Sequence, residues 1–298
     1  MSNLSLRGIS KSYRRGTVKA LDAISLDFSP GIYGVLGPNG AGKSSLFKIL
    51  ATVLPADSGT LIWKGRDVRE QLRAYKKSLA YMPQQQELYP EMTGRQFLEY
   101  MALLKEIPRR QIPSEIERAA AACGMNRQLG KACGKYSGGM KQRILISQAI
   151  LGKPELMILD EPTAGLDPLE RIRIRKLIAR LARDRIILIA THVVSDVACV
   201  AKNLLLLDKG RVLYSGPPSA LLARYDRKVW DGVFPLSAMD EAVRRFRITQ
   251  LREVPGERIY IRICGDFDQG PACADIPFQL ASPSLEDVYL YVFGEPQE

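Results

Sequence analysis

The feature that most constrains this chain is a glycine-rich segment that directly follows a short apolar run. The run reads IYGVL, and the segment is Gly37–Ser44, GPNGAGKS. This spacing is that of a P-loop, G-x-x-x-x-G-K-[ST], when a strand precedes it and a helix follows. Glycines leave room for backbone N–H groups around phosphate oxygens, and the N-terminus of the next helix adds a positive dipole. The segment therefore predicts a phosphate-binding turn within an α/β fold.

The P-loop supplies most of the predicted ligand contacts. Lys43 is expected to bring its ammonium group to the β- and γ-phosphates, and the hydroxyl of Ser44 is expected to bind Mg²⁺. The predicted binding residues of this stretch are Gly37, Pro38, Asn39, Gly40, Ala41, Gly42, Lys43, Ser44 and Ser45.

A second apolar run, LMIL, ends in two acids, Asp160 and Glu161. Ligands of open α/β sheets bind at the carboxyl ends of the strands, so these acids are expected near the phosphates. Asp160 is predicted to bind the metal, and Glu161 to orient or deprotonate an attacking water.

His192 is the single histidine and follows another apolar run, RIILIAT. It is therefore predicted at the same edge, with a catalytic role.

The segment Ser137-Gly138-Gly139 precedes a helical stretch and predicts a second anion site. One chain does not need two sites for the same terminal phosphate. This second site is therefore predicted to act on a nucleotide that is bound by another protomer.

The order of apolar runs predicts the fold. Alternating strands come first, strand and helix then alternate as in a parallel sheet, and a helical stretch of about residues 85–150 is inserted between two halves of this pattern. Residues 1–222 are predicted as an α/β P-loop domain, and residues 223–298 as a small α+β appendage. A hairpin is predicted at VPGE. A helix with a capping box is predicted from Ser284, with Asp287 three positions later.

Charge and composition narrow the function classes. Residues 223–298 carry 9 Lys+Arg and 13 Asp+Glu, whereas the preceding 222 residues hold 34 and 19. The basic part fits polyphosphate ligands, nucleic acid or an anionic membrane surface. No apolar run approaches the ~20 residues of a membrane helix, and the first residues do not resemble a signal peptide. The five scattered cysteines indicate reduced thiols of a cytosolic protein.

Over about residues 3–222, these motifs in this order resemble the nucleotide-binding subunit of ATP-binding cassette (ABC) transporters. The resemblance implies ATP and Mg²⁺ as ligands and Lys43, Glu161 and His192 as catalytic residues. It adds roles for residues whose own patterns are weak. Tyr13 would stack on adenine, Gln84 would bind Mg²⁺ beside the nucleotide, and Asp167 would belong to the D-loop at the binding site. In the usual signature, Leu-Ser-Gly-Gly-Gln, the outer residues are replaced here by Tyr136 and Met140.

The resemblance also implies the assembly. Two ATP-binding subunits, identical or different, would meet head to tail at the cytoplasmic face of the cell membrane and drive separate integral membrane subunits, as in the export-type bacterial and archaeal subfamily. Nucleic acid is not expected as a partner. A cassette ATPase that acts on nucleic acid or ribosomes remains the alternative, because the basic body would suit it, although no aromatic-rich basic stripe supports it.

Overall fold

The computed structural model describes residues 3–13, 16–267, 270–274 and 276–294. The chain divides into two compact units, Met1–Ser215 and Gly216–Glu298. The predicted boundary after residue 222 lies later, at the end of a short helix that packs within the second unit. The division between the two units thus falls a few residues before the point at which the excess charge changes from basic to acidic.

The first unit contains an antiparallel and a parallel sheet. Its strands are β1 Leu4–Tyr13, β2 Val18–Phe28, β3 Gly31–Leu36, β4 Ser58–Trp63, β5 Arg66–Asp67, β6 Leu79–Met82, β7 Leu156–Asp160, β8 Ile186–Ala190, β9 Asn203–Asp208 and β10 Arg211–Gly216. Its helices are α1 Lys43–Leu50, α2 Leu72–Ser78, α3 Gly94–Leu104, α4 Ile112–Ala122, α5 Gly138–Ala149, α6 Pro168–Leu181 and α7 Val194–Ala198. Single 3₁₀ turns span Val68–Gln71, Arg109–Gln111, Asn126–Gln128 and Cys133–Lys135.

The parallel sheet has the order β10-β9-β3-β8-β7-β6, and the antiparallel sheet has the order β2-β1-β4-β5. Every residue of β7 and β8 is buried, as expected for central strands that are covered on both faces. Residues of both sheets form one core with α1, including Leu6, Val35, Phe47, Ile158 and Leu188. This core holds α1, which follows the P-loop, against the parallel sheet. The expected α/β class is confirmed.

The inserted helical segment consists of α3, α4 and α5, which pack against one another. Thr93 and Gln96 form a capping box at the start of α3. Lys105, just after α3, donates to the backbone carbonyls of Gln148, Ala149 and Leu151 at the end of α5. Burial, followed by the charge of Arg118, lowers the pKa of Lys105 to about 7. This lysine joins the ends of two helices of the segment.

The second unit is a small α+β fold. Its strands are β11 Val229–Pro235, β12 Ile248–Val254, β13 Arg258–Cys264, β14 Ala272–Cys273, β15 Ile276–Pro277 and β16 Gln279–Ala281. Its helices are α8 Pro218–Ala223, α9 Met239–Arg245 and α10 Leu285–Phe293, and a 3₁₀ turn spans Leu236–Ala238. The main sheet has the order β12-β13-β11-β16. The predicted VPGE hairpin is confirmed as the β12–β13 turn, with Gly256 and Glu257 both at positive φ. The capping box of Ser284 and Asp287 is confirmed at the start of α10.

A buried polar cluster joins α10 to the sheet of this second unit. The carboxylate of Asp287 accepts hydrogen bonds from Thr249 at 2.6 Å and from the guanidinium group of Arg262 at 2.9 Å. Arg262 also donates to Asp231. Burial opposes ionisation of Asp287, but the hydrogen bonds from Arg262, Ser284 and Thr249 prevail and lower its pKa. These hydrogen bonds hold the start of α10 against strands β12 and β13.

Candidate functional site

The carboxyl ends of three neighbouring strands lie in register. Val35 of β3 is paired with Ala190 of β8, and Asp160 of β7 is paired with the same residue. The segments that follow these strands therefore emerge side by side at one edge of the sheet. A pocket of about 610 Å³ lies at this edge. The residues that line it are Tyr13, Val18, Ala20, Asn39, Gly40, Ala41, Gly42, Lys43, Ser44, Ser45, Gln84, Asp160, Glu161 and His192.

The P-loop glycines are required by the way the loop packs. Gly42 has a φ of 106°, and a Cβ atom there would lie 2.3 Å from the backbone oxygen of Ala20. A Cβ atom on Gly37 would lie 2.2 Å from the backbone oxygen of Leu207. As N-cap of α1, Gly42 has no side chain that could accept hydrogen bonds from the first turn. The N–H groups of that turn thus remain suited to an anion.

Lys43 lies within the loop rather than in solvent. Its Nζ atom donates to the carbonyl oxygens of Gly37 and Pro38 at 2.6 and 2.9 Å. Burial lowers the pKa of this lysine, while the nearby charges of Glu161 and Asp160 oppose that shift. The ammonium group is thus held among P-loop carbonyls at the wall of the pocket.

Glu161 and His192 are in direct contact. The Oε1 atom of Glu161 accepts the backbone N–H of His192 at 3.0 Å and lies 2.8 Å from its Nδ1. The hydroxyl of Thr191 donates to Oε2 at 3.3 Å. Glu161 has a φ of 52°, in the left-handed region that residues other than glycine rarely adopt. Strained backbone of this kind is concentrated at functional sites.

Asp160 is buried, and it forms no ion pair with any of the described residues. Burial, followed by the charge of Glu161, raises its pKa, and Lys43 acts in the opposite direction. A divalent cation would relieve this unfavourable environment. The hydroxyl of Ser44 and the amide of Gln84 line the same pocket and are oxygen donors that Mg²⁺ accepts. Among the described residues, no group of three or more His, Cys, Asp or Glu is arranged for a metal. The residues fit a magnesium ion that is also bound by phosphate and water.

Tyr13 borders the pocket at the end of β1. Its hydroxyl lies 3.1 Å from the Oγ atom of Ser45, and its side chain is partly exposed. The ring is thus available to a flat ligand, and stacking on adenine stays a prediction.

Six predicted site residues do not line this pocket: Gly37, Pro38, Ser137, Gly138, Gly139 and Asp167. Gly37 and Pro38 instead supply the carbonyl oxygens that accept from Lys43. Ser137 caps α5 by accepting the backbone N–H of Met140, and Asp167 caps α6 by accepting that of Glu170. Their predicted contact with the nucleotide of another protomer remains a prediction.

The departures from the usual signature are explained in part by packing. Tyr136 is buried, and its hydroxyl donates to the backbone oxygen of Gln128 at 2.8 Å. It therefore acts as a packing residue within the helical segment, and it leaves Ser137 at the helix N-terminus.

Sequence reasoning missed several residues of the site. Val18 and Ala20 line the pocket from β2, and Thr191 contacts Glu161. Thr191 could have been found, because it lies between a buried strand and His192. Val18 and Ala20 gave no signal, since they are ordinary strand residues brought to the P-loop by tertiary packing.

A larger cavity, of about 920 Å³, lies away from these residues. Its lining includes α2, the end of α3 and the residues just after α5. Leu79 begins β6, and Lys153 precedes β7, so this cavity is at the amino ends of the strands, opposite the P-loop pocket. We assign the nucleotide to the smaller pocket, because the phosphate-binding loop and both acids lie there.

Comparison with known proteins agrees with this geometry. A family model described as ABC transporter matches residues 21–164. ABC transporter A family member 8 of Dictyostelium discoideum is 32% identical over 226 residues, which cover 74% of this chain and 27% of that protein. This chain thus spans about a quarter of that relative's length.

Other relatives match more of their own length. Nod factor export ATP-binding protein I of Paraburkholderia xenovorans (strain LB400) is 30% identical over 305 residues, covering 97% of this chain and 96% of that protein. The solved structure of cbiO1 from Clostridium perfringens, part of the ABC transporter complex cbiONQ, has a TM-score of 0.68 and 27% identity, covering 74% of this chain and 91% of that one. With a P-loop pocket of this geometry and a relative aligned over nearly its whole length, the chain belongs to the ABC transporter family.

Proposed function

We propose that this chain binds and hydrolyses ATP with Mg²⁺ and thereby powers an exporter whose membrane subunits are separate proteins. The observation that carries the proposal is the meeting of the P-loop, Asp160 and the hydrogen-bonded pair Glu161–His192 at one pocket. A phosphate-binding loop alone would serve binding. A buried carboxylate that is oriented by a histidine beside that loop supports hydrolysis.

The proposed chemistry follows from the donors and acceptors of the pocket. The N–H groups at the start of α1 and the ammonium group of Lys43 bind the phosphates and stabilise their negative charge. Glu161 accepts a proton from the attacking water, and His192 holds that carboxylate in place. Mg²⁺, bound by Ser44, Asp160 and Gln84, would supply positive charge against the phosphate oxygens.

We propose that a second copy, or a related subunit, completes the site. Ser137–Gly139 at the N-terminus of α5 would bind the γ-phosphate of the partner's ATP, with Asp167 near the contact. Support comes from the N-terminus of α5, which Ser137 caps and which does not line the chain's own pocket.

Membrane subunits are the proposed partners, at the cytoplasmic face of the membrane. No helix among the described residues has the length and apolar character needed to span a bilayer. The larger cavity offers exposed apolar side chains, Leu72 and Leu104, beside the basic Lys76 and the ion pair of Arg73 with Glu106. We propose that an apolar segment of the membrane subunit, carrying acidic residues, binds there. Export is proposed because a relative of nearly equal length is a Nod factor export protein.

The test is purification of the tagged chain from its own cells in mild detergent, followed by identification of the integral membrane protein that accompanies it. The variant Leu104→Glu should lose that partner and retain ATP binding. Leu213→Glu is a matched control, because Leu213 is also an exposed leucine but does not line the cavity. RNA or DNA that survives a salt wash, with no membrane protein present, would contradict the proposal.

The second unit is proposed as an accessory domain outside the hydrolytic site. Every described residue that lines the pocket lies between Tyr13 and His192. The acidic excess of residues 223–298 contrasts with the basic remainder and would favour electrostatic association with a second ATP-binding subunit.

A further inference from the structure

Asp196 of α7 is a buried carboxylate that the proposed chemistry does not use. Its side chain is 5% exposed. The hydroxyl of Thr163 donates a hydrogen bond to its Oδ2 atom. Its Oδ1 atom lies 3.7 Å from the guanidinium group of Arg175, which also donates to the backbone oxygen of Ser195 at 2.9 Å. One carboxylate thus joins a threonine, an arginine and the helix α7.

The three partners occupy informative places along the chain. Thr163 follows Glu161 closely and directly precedes residues 164–167, and Arg175 belongs to α6, which begins just after them. Asp196 lies on the segment that begins with His192, one turn further along. Thr163, just before the 164–167 segment, and Arg175, about two turns into the helix that follows it, are therefore both bound to the segment that carries His192.

We infer that Thr163, Asp196 and Arg175 form a positioning cluster, which couples the 164–167 segment to the alignment of His192 with Glu161. The inference rests on the proposed function. A shift of residues 164–167, for instance on contact with a second protomer, would move Thr163 and α6, and Asp196 would transmit that movement to the His192 segment. The cluster touches no reacting atom, so its members are positioning residues.

The geometry explains why such coupling affects turnover more than binding. The P-loop and Lys43 are held by β3 and α1, and none of the cluster's hydrogen bonds reaches them. In contrast, Glu161 lies on the same segment as Thr163, and His192 lies on the same segment as Asp196. Misplacement of a reacting group by about 1 Å can lower a rate by roughly 10²-fold. Loss of the cluster is expected to lower kcat by about tenfold or more, with a change in KM for ATP below about twofold.

The experiment measures kcat and KM for ATP in the full chain. Thr163→Val removes the hydroxyl at nearly constant shape, Thr163→Ser retains it, and Asp196→Asn removes the charge. The matched controls are Thr249→Val and Asp287→Asn, which alter the buried Thr–Asp–Arg cluster of the second unit. We expect low kcat for Thr163→Val and Asp196→Asn, recovery with Thr163→Ser, and unchanged kcat in the controls.

The double variant Thr163→Val/Asp196→Asn tests whether the two residues act together. Its loss of kcat should be smaller than the product of the two single losses, because both changes break the same contact. Unchanged kcat in folded Thr163→Val would overturn the inference, as would equal losses in the control variants. If Asp196→Asn does not fold, the Thr163→Val and Thr163→Ser pair decides alone. Absence of ATP hydrolysis by the unaltered chain would instead refute the proposed function.

Discussion

Replacing Glu161 with glutamine is the most direct test of the catalytic assignment. The exchange retains the size of the side chain, and the amide oxygen can still accept the backbone N–H of His192. The hydroxyl of Thr191, which donates to the carboxylate, can rotate to accept from the new amide. The pocket is therefore expected to keep its shape, while the group that takes up a proton from water is lost.

The expected loss follows from that single change. Removal of a positioned general base costs roughly 10²–10⁴-fold in rate. This corresponds to about 3–5 kcal/mol of transition-state stabilisation, at about 1.4 kcal/mol per factor of ten. ATP affinity should change by less than about threefold, since the P-loop and Lys43 supply the phosphate contacts. The ATP-bound form, which can no longer complete hydrolysis, should accumulate as a dimer.

Three measurements and one control variant decide the outcome. Single-turnover phosphate release gives the chemical step, and equilibrium nucleotide binding with size-exclusion chromatography gives affinity and dimerisation. Glu155→Gln is the matched control, because Glu155 directly precedes β7 whereas Glu161 directly follows it. Glu155 is paired with Lys64 in a half-exposed ion pair, which contributes at most about 1 kcal/mol. Turnover of Glu161→Gln within about fivefold of the unaltered chain would refute the reasoning.

Lys43→Ala should abolish tight ATP binding, whereas Ser137→Ala should bind ATP without ATP-dependent association. A mixture of the two variants should associate when ATP is added, as measured by light scattering. Failure of the mixture to associate would contradict a site that is shared between protomers. ATP affinity, measured by titration from about pH 7 to pH 10, should decrease as Lys43 loses its proton, because only the protonated form attracts phosphate. Burial lowers the pKa of Lys43, so this decrease should begin at a lower pH than it would for an exposed lysine. Constant affinity over this range would argue against a role of Lys43 in phosphate binding. Gly42→Ala should reduce ATP binding, measured by calorimetry, by at least about tenfold, since the new Cβ atom would meet the oxygen of Ala20 at 2.3 Å. Gly65→Ala controls for backbone strain, because Gly65 has a φ of 81° and no atom within 4 Å of an added Cβ. A chain that ends at Gly216 should still bind ATP, and aggregation of every such truncated form would show that the second unit is needed for folding.

The elements that could be predicted from sequence are those with a strong local signal. The P-loop, with its glycines and Lys43, has a spacing that few other structures require. Buried strands such as β7 and β8 are continuous apolar runs, and polar residues at their ends belong to the carboxyl edge of a parallel sheet. The capping box of α10 is equally local, because its hydrogen bonds span only a few residues.

Short elements and element ends were less predictable. Helix α2 and strand β10 are too short or too mixed in polarity to show a clear period, and α7, Val194–Ala198, is only 5 residues long. The division between the two units was also displaced, because the packing of α8 outweighs the distribution of charge along the chain.

The sequence by itself determined which chemical groups are present and at which edge of the sheet they lie, because strand patterns and the P-loop spacing are local properties. Only the tertiary structure decided which groups touch. The register of β3, β7 and β8 brings the P-loop, Glu161 and His192 together, and the left-handed backbone of Glu161 directs its carboxylate to that histidine. The bond between Thr163 and Asp196 joins residues 33 positions apart. No periodicity encodes such a contact, since it depends on how two separate segments pack.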